Sequence, residues 1–381
     1  MIHVHLSRRD TLAALFAFSQ RRAASAARRV MNVAFNYAAH STLQDLRYLA
    51  KFDVLVTGGI LSPDQLEVVR SHQTQLVLYV WSSGFYPNEG LDADQSWSSE
   101  VRKNSSRWLL SAEPVGGGAA AADKLAFWYD FGDPTFGAAL AAHIRALLEN
   151  HGYRGVFLDT LGVESLPAAV RGEFKKRYPA GHYDREQAQF ITALRENLGS
   201  EAIIFTNQAY RKPDLFLRHA NFDLIENSCT YITPQHTTAF RPWFRPGKEW
   251  DSIEIPMNQL VIPAARSHPD TQFVHLNFAT GGPAALETAV MYCYAAAHLW
   301  NHTSFVASPG IQKPIHNNVY FSNLGDAETG SYEEDRDSEV AWRVFQNAVV
   351  ALNCSDRRYD IRKLHLSLPA PRRGCIFFKK M

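Results

Sequence analysis

The 381-residue chain balances 39 Lys and Arg against 38 Asp and Glu, a formal charge of +1, which argues against a protein held to nucleic acid by a basic surface. With 46% hydrophobic and 20% charged residues it has globular proportions, which excludes collagen-like, coiled-coil and disordered chains. The length suits one α/β barrel of about 250 residues with additions, and no run of 18 apolar residues predicts a membrane span.

Residues 1–30 contain six Arg and a single acid, a net +5 that leaves the remainder at −4. Ser7-Arg8-Arg9-Asp10-Thr11-Leu12, the apolar run after it and the small residues 23–27 read as a basic leader resembling a twin-arginine export signal, with export to the periplasm or cell exterior as the expectation and a basic tail on a cytoplasmic protein as the alternative. From residue 31 short β-rich runs alternate with helical patterns at 31–37, 53–57, 75–81, 155–159, 202–206, 222–226, 271–277 and 304–307, with helices expected at 42–50, 64–70, 134–150, 185–198 and 283–300. Pro134 and Pro283 suit helix starts, and Gly152 and Gly199 suit helix ends. Eight such runs predict a (β/α)8 barrel over 31–307, an open doubly wound sheet being the alternative. The stretches 82–124 and 227–270 read as long functional loops, with an extra strand expected near 125–130. Residues 308–381 read as a C-terminal extension with a small β region at 344–353, 364–368 and 375–378. Cys229, Cys293, Cys354 and Cys375 read as buried thiols, a Cys354–Cys375 bridge being an option in an exported protein.

In a barrel the residues at the C-terminal strand ends face the mouth. The fourth run closes on Asp159 and the sixth on Glu226, each a carboxylate after a buried apolar stretch, where desolvation costs several kcal/mol unless something compensates. Taken singly, Asp159 reads as well as a helix cap and Glu226 as the partner of an arginine. As a pair two strands apart they suit glycoside hydrolysis, which needs one carboxylate to attack the sugar or activate water and one carboxylic acid to protonate the leaving oxygen. Tyr37, Trp81, Tyr129, Asp130, Asn207, Tyr231 and Asn277 are the candidate substrate-binding residues, with Asp130 open to a capping role. Tyr86, Trp243 and Trp250 suit sugar stacking or loop anchoring equally. No G-x-S-x-G, H-E-x-x-H or Walker lysine motif occurs, so neither metal nor cofactor is expected.

Trp128-Tyr129-Asp130 leading to Pro134, then Tyr153-Arg154-Gly155-Val156-Phe157-Leu158-Asp159, then Leu224-Ile225-Glu226, resemble the barrel glycosidases of glycoside hydrolase family 114, the endo-α-1,4-polygalactosaminidases, and a related group of hypothetical glycosyl hydrolases. That group also shares stretches like 319–325 and 342–347. The resemblance implies a retaining reaction with Asp159 as nucleophile and Glu226 as acid/base. Thr160-Leu161-Gly162 departs from the family's asparagine-containing segment, which bears on the substrate. The expected function is a cofactor-free glycoside hydrolase acting on a polysaccharide or oligosaccharide. The alternatives are a non-catalytic carbohydrate-binding barrel or polysaccharide-assembly scaffold, and a hydrolase or lyase of another ester or amide bond.

Overall fold

The structure, a computed structural model, describes residues 30–37, 41–86, 96–111, 113–116, 125–245, 251–309 and 313–379, so residues 1–29 of the leader and Trp250 lie outside the described residues. Eight parallel strands form one sheet: β1 Val33–Asn36, β2 Val54–Thr57, β3 Gln75–Trp81, β4 Gly155–Asp159, β5 Ile203–Asn207, β6 Phe222–Glu226, β7 Gln272–Phe278 and β8 Thr303–Ala307. The ladder follows chain order and β8 packs beside β1, giving a nearly closed barrel. Almost every strand residue is buried, because the barrel core covers one face and helices the other; this is why the strands read as continuous apolar runs. Expected and observed strands coincide at β3, β4 and β6 and differ by one or two residues elsewhere.

The helices include α1 Leu43–Leu49, α2 Pro63–Arg70, α3 Phe136–His151, α4 Ala168–Arg177, α5 Tyr183–Leu198, α6 at 254–267 and α7 Pro283–His298. Thr42 caps α1, Ser62 and Gln65 form a reciprocal capping box on α2, and Gly152 ends α3 in the left-handed region at φ 69°. Two expectations need correcting. Pro134 precedes α3 rather than opening it, since Thr135 is the cap. The stretch 227–270 is not only loop: it holds a hairpin, Thr230–Ile232 with Thr238–Phe240, and then α6, whose middle, Met257–Val261, is a π turn. The first long stretch contributes Gly84–Phe85 and Val115–Gly116, which pair with the expected extra strand, Leu125–Trp128.

Inside the barrel the rings of Phe35, Phe157 and Phe205 meet at centroid distances of 5.0 to 6.1 Å, with Phe305 6.0 Å from Phe35. Side chains alternate along a strand, so the residues two positions further on, Tyr37, Asp159 and Asn207, stand on this aromatic floor at the mouth.

The C-terminal region forms an antiparallel sheet of β9 Glu333–Asp335, β10 Val340–Val344, β11 Ala348–Asn353 and β12 Arg373–Phe378. Strands β11 and β12 lie against α7, so closely that a Cβ at Gly374 would stand 2.0 Å from the Met291 carbonyl oxygen. No bridge joins Cys354 and Cys375: both are free thiols, and Cys375 stands opposite Ala351, three residues from Cys354. The Cys354 sulfur instead accepts a hydrogen bond from the Tyr292 hydroxyl at 2.9 Å.

Candidate active site

The side-chain amide of Asn207 is the centre of the site. Its Nδ2 donates to Asp159 Oδ1 at 2.8 Å and reaches Glu226 Oε2 at 3.5 Å. One nitrogen within reach of both places those two oxygens no more than about 6.3 Å apart, so the two carboxyl groups flank one small space at the barrel mouth.

The two carboxyl groups differ in surroundings. Asp159 accepts from the Tyr79 hydroxyl (2.8 Å), the Thr160 N–H (2.8 Å) and Asn207. Among the described residues Glu226 has only the long contact to Asn207, and burial, followed by the charge of Asp159, pushes its carboxyl above the usual range, the Asn207 amide working the other way. Tyr37 packs on Tyr79 at 4.9 Å, and burial with the two carboxylates holds its phenol well above the usual range, keeping it neutral. Burial and then the charge of Asp159 likewise hold the Tyr79 phenol above its usual range, with Tyr37 adding to them. Among the described residues neither carboxylate is ion-paired to a lysine or arginine.

The turns at this end are strained. Thr160, Gln208 and Asn227, the residues immediately after Asp159, Asn207 and Glu226, all lie in the left-handed region at φ 58°, 55° and 56°. Such positions cost of order 1 kcal/mol or more for a non-glycine residue and gather at functional sites.

Of the expected substrate-binding residues, Tyr37, Trp81 and Asn207 belong to this group. Trp81 pairs in register with Asp159 and stacks on Tyr86 at 4.7 Å. Tyr231 sits half-exposed on the hairpin after β6, under the Arg241 guanidinium at 4.7 Å. Three others are walled in. Asp130 is fully buried, ion-paired to Arg177 and accepting from Gly132 N–H and the Tyr178 hydroxyl, so it serves neither cleft nor helix cap. Tyr129 is fully buried and its hydroxyl accepts from the Trp97 indole. Asn277 faces outward from β7 and takes the N–H groups of Cys229 and Thr230. Trp243 anchors its loop, donating to Glu334 and stacking on Trp300. Sequence reasoning missed Tyr79, although its place two residues before Trp81 puts it on the same inward face. Among the described residues no group of three His, Cys, Asp or Glu is arranged to hold a metal ion, and no helix is long and apolar enough to cross a membrane.

No family model and no curated protein sequence matches the chain. Solved structures do match. The glycoside hydrolase domain of PelA from Pseudomonas aeruginosa is 18% identical with a TM-score of 0.51, covering 74% of this chain and 96% of its own. A maltogenic α-amylase, AmyB, from Thermotoga neapolitana matches at TM-score 0.51 and 9% identity over 92% of this chain and 96% of its own. The α-amylase of Geobacillus thermoleovorans, solved with acarbose, matches at TM-score 0.51 and 8% identity over 92% and 97%. Identities this low speak to architecture, and the class they define is the barrel fold that glycoside hydrolases use.

Proposed function

We propose that the protein is a retaining glycoside hydrolase acting on a polysaccharide or oligosaccharide. The observation that carries the reading is the Asn207 amide lying within reach of both carboxylates. Asp159, turned toward three donors, attacks the anomeric carbon. Glu226, whose protonated form burial and the neighbouring charge favour, gives its proton to the leaving oxygen and then takes one from the attacking water. The buried Asn207 Oδ1, without a partner among the described residues, is available to accept from a sugar hydroxyl, and Trp81 with Tyr86 offers an aromatic wall. The fold shared with the PelA glycoside hydrolase domain supports the reading, and the sequence resemblance makes an α-1,4-linked galactosamine polymer the first substrate to try.

The test compares wild type, Asp159→Asn and Glu226→Gln on a panel of soluble polysaccharides headed by that polymer. Wild type should release reducing ends whose first-formed anomer, followed by NMR, keeps the substrate's configuration. Each variant should fold and lose about a thousandfold or more in kcat. Unchanged turnover in either variant removes that residue from the reaction, an inverted product replaces retention with inversion, and saccharide binding without cleavage by wild type makes the barrel a binding protein.

A further inference from the structure

Two of the three site strands end in the same construction. After Asn207 the chain turns at left-handed Gln208, whose N–H returns to the Leu224 carbonyl at 3.0 Å, and the N–H groups of Ala209 and Tyr210 then donate to Asp223 at 3.0 and 2.8 Å. After Glu226 it turns at left-handed Asn227, whose N–H returns to the Leu276 carbonyl at 2.8 Å, and the N–H groups of Cys229 and Thr230 donate to Asn277 Oδ1 at 2.8 and 3.1 Å. In both cases two successive N–H groups of the turn are captured by an outward-facing side chain on the next strand of the barrel, Asp223 on β6 and Asn277 on β7.

Both acceptors are costly to bury. Each has zero exposure, Asp223 is ion-paired to no lysine or arginine among the described residues, and Asn277 Nδ2 has no partner. Neither donates to any of the described residues, so what they contribute lies in their oxygens. Thr206, one residue before Asn207, also donates to Asp223 at 2.8 Å, so the chain on both sides of Asn207 is tied to one carboxylate. Beyond Asp159 the turn is held differently: Gln187 from α5 accepts from Gly162 N–H and donates to Ser82 and Ser83.

We propose that Asp223 and Asn277 are positioning residues, acceptor clamps that hold the strained turns after β5 and β6 and so keep the Asn207 amide and the Glu226 carboxyl at the distances that Asp159 chemistry needs. The proposal rests on the glycosidase reading and extends it to residues that touch no substrate.

The test uses the full chain with Asn277→Leu, which removes the acceptor, and Asn277→Asp, which keeps one oxygen facing the same two donors as Asp223 does. Two readouts are taken on variants shown by circular dichroism to be folded. The first is kcat and KM. The second is the titration midpoint of Glu226, followed by NMR with 13C-labelled glutamate carboxyls and assigned with Glu226→Gln. Asn277→Leu should lose about a hundredfold in kcat at a KM within about threefold, as expected for a roughly 1 Å misplacement, and should move the Glu226 midpoint. Asn277→Asp should stay within about fivefold of wild type. A folded Asn277→Leu with unchanged kcat and midpoint overturns the proposal, as does an Asn277→Asp as damaged as the leucine variant. Where Asn277→Leu does not fold, Asn277→Ser and Asp223→Asn are read by the same criteria. Should wild type cleave no saccharide, the glycosidase reading falls, and the Glu226 midpoint alone still decides whether the clamp places that carboxyl.

Discussion

Asp159 and Glu226 are chemically near-identical groups at the ends of similar strands, and their neighbours make them different. Among the described residues three donors converge on the first, while the second is left with one long contact, burial and the field of the first. Because burial and Asp159 both favour the protonated form of Glu226, kcat/KM should fall on the alkaline side with a midpoint above the ordinary carboxylate range. Asp159→Asn removes one of the two raising causes, so the Glu226 midpoint, read by carboxyl NMR, should move down; a midpoint that stays or rises would disprove the coupling. These two acids were legible in the sequence because each closes a β-rich run, Asp159 directly after Val156-Phe157-Leu158 and Glu226 directly after Leu224-Ile225. Tyr79 and Asn277 were not, and the reason is parity. Tyr79 shares the inward phase of Trp81, whereas Asn277 is out of phase with Leu276, the register partner of inward Glu226. Strand-end position alone, without that phase, sends Asn277 to the cleft and leaves Tyr79 in the core. Asp130 and Tyr129 misled for another reason: they follow a strand of the small inserted sheet, not one of the barrel.

The secondary structure divides the same way. Strands that are buried on both faces announce themselves, and so do helices with capping signals such as Ser62-Pro63 or Gly152. Helix α4 buries only Val170 and Phe174, too thin a stripe for its period to stand out, and α6 was hidden because Pro256 and Pro263 read as loop punctuation while a π turn shifts the phase between them. The C-terminal strands were found approximately, but their docking depends on Gly374, which no local pattern marks. An added methyl there meets backbone, the Met291 carbonyl oxygen at 2.0 Å and its carbon at 2.5 Å, so the strand or α7 must shift. Gly374→Ala should therefore cost about 2 to 4 kcal/mol in urea unfolding. A loss below the error of the measurement would mean that β12 is not seated on the helix.

For the molecule as a whole, the aromatic floor links stability to the site. Phe157 touches Phe35, Phe205 and Tyr79, and Tyr79 in turn holds Asp159. Phe157→Ala should lose about 3 to 5 kcal/mol of stability and lower kcat more than it raises KM; a variant with the stability loss and unaltered kcat would separate floor from site. The eightfold strand count made the barrel readable, whereas the substrate stayed unreadable because sugar contacts come from loop and mouth residues that no strand period governs. Helix α7 carries one further consequence. Ala289, Val290, Tyr292, Cys293, Tyr294, Ala295, Ala296 and Ala297 are all buried, since the barrel covers one side and strands β11 and β12 the other. As the chain leaves the ribosome, all eight barrel strands emerge before residues 373–378 arrive to cover that helix. A nascent barrel thus carries an uncovered apolar flank until residues 373–378 are made, an interval in which it is exposed to aggregation.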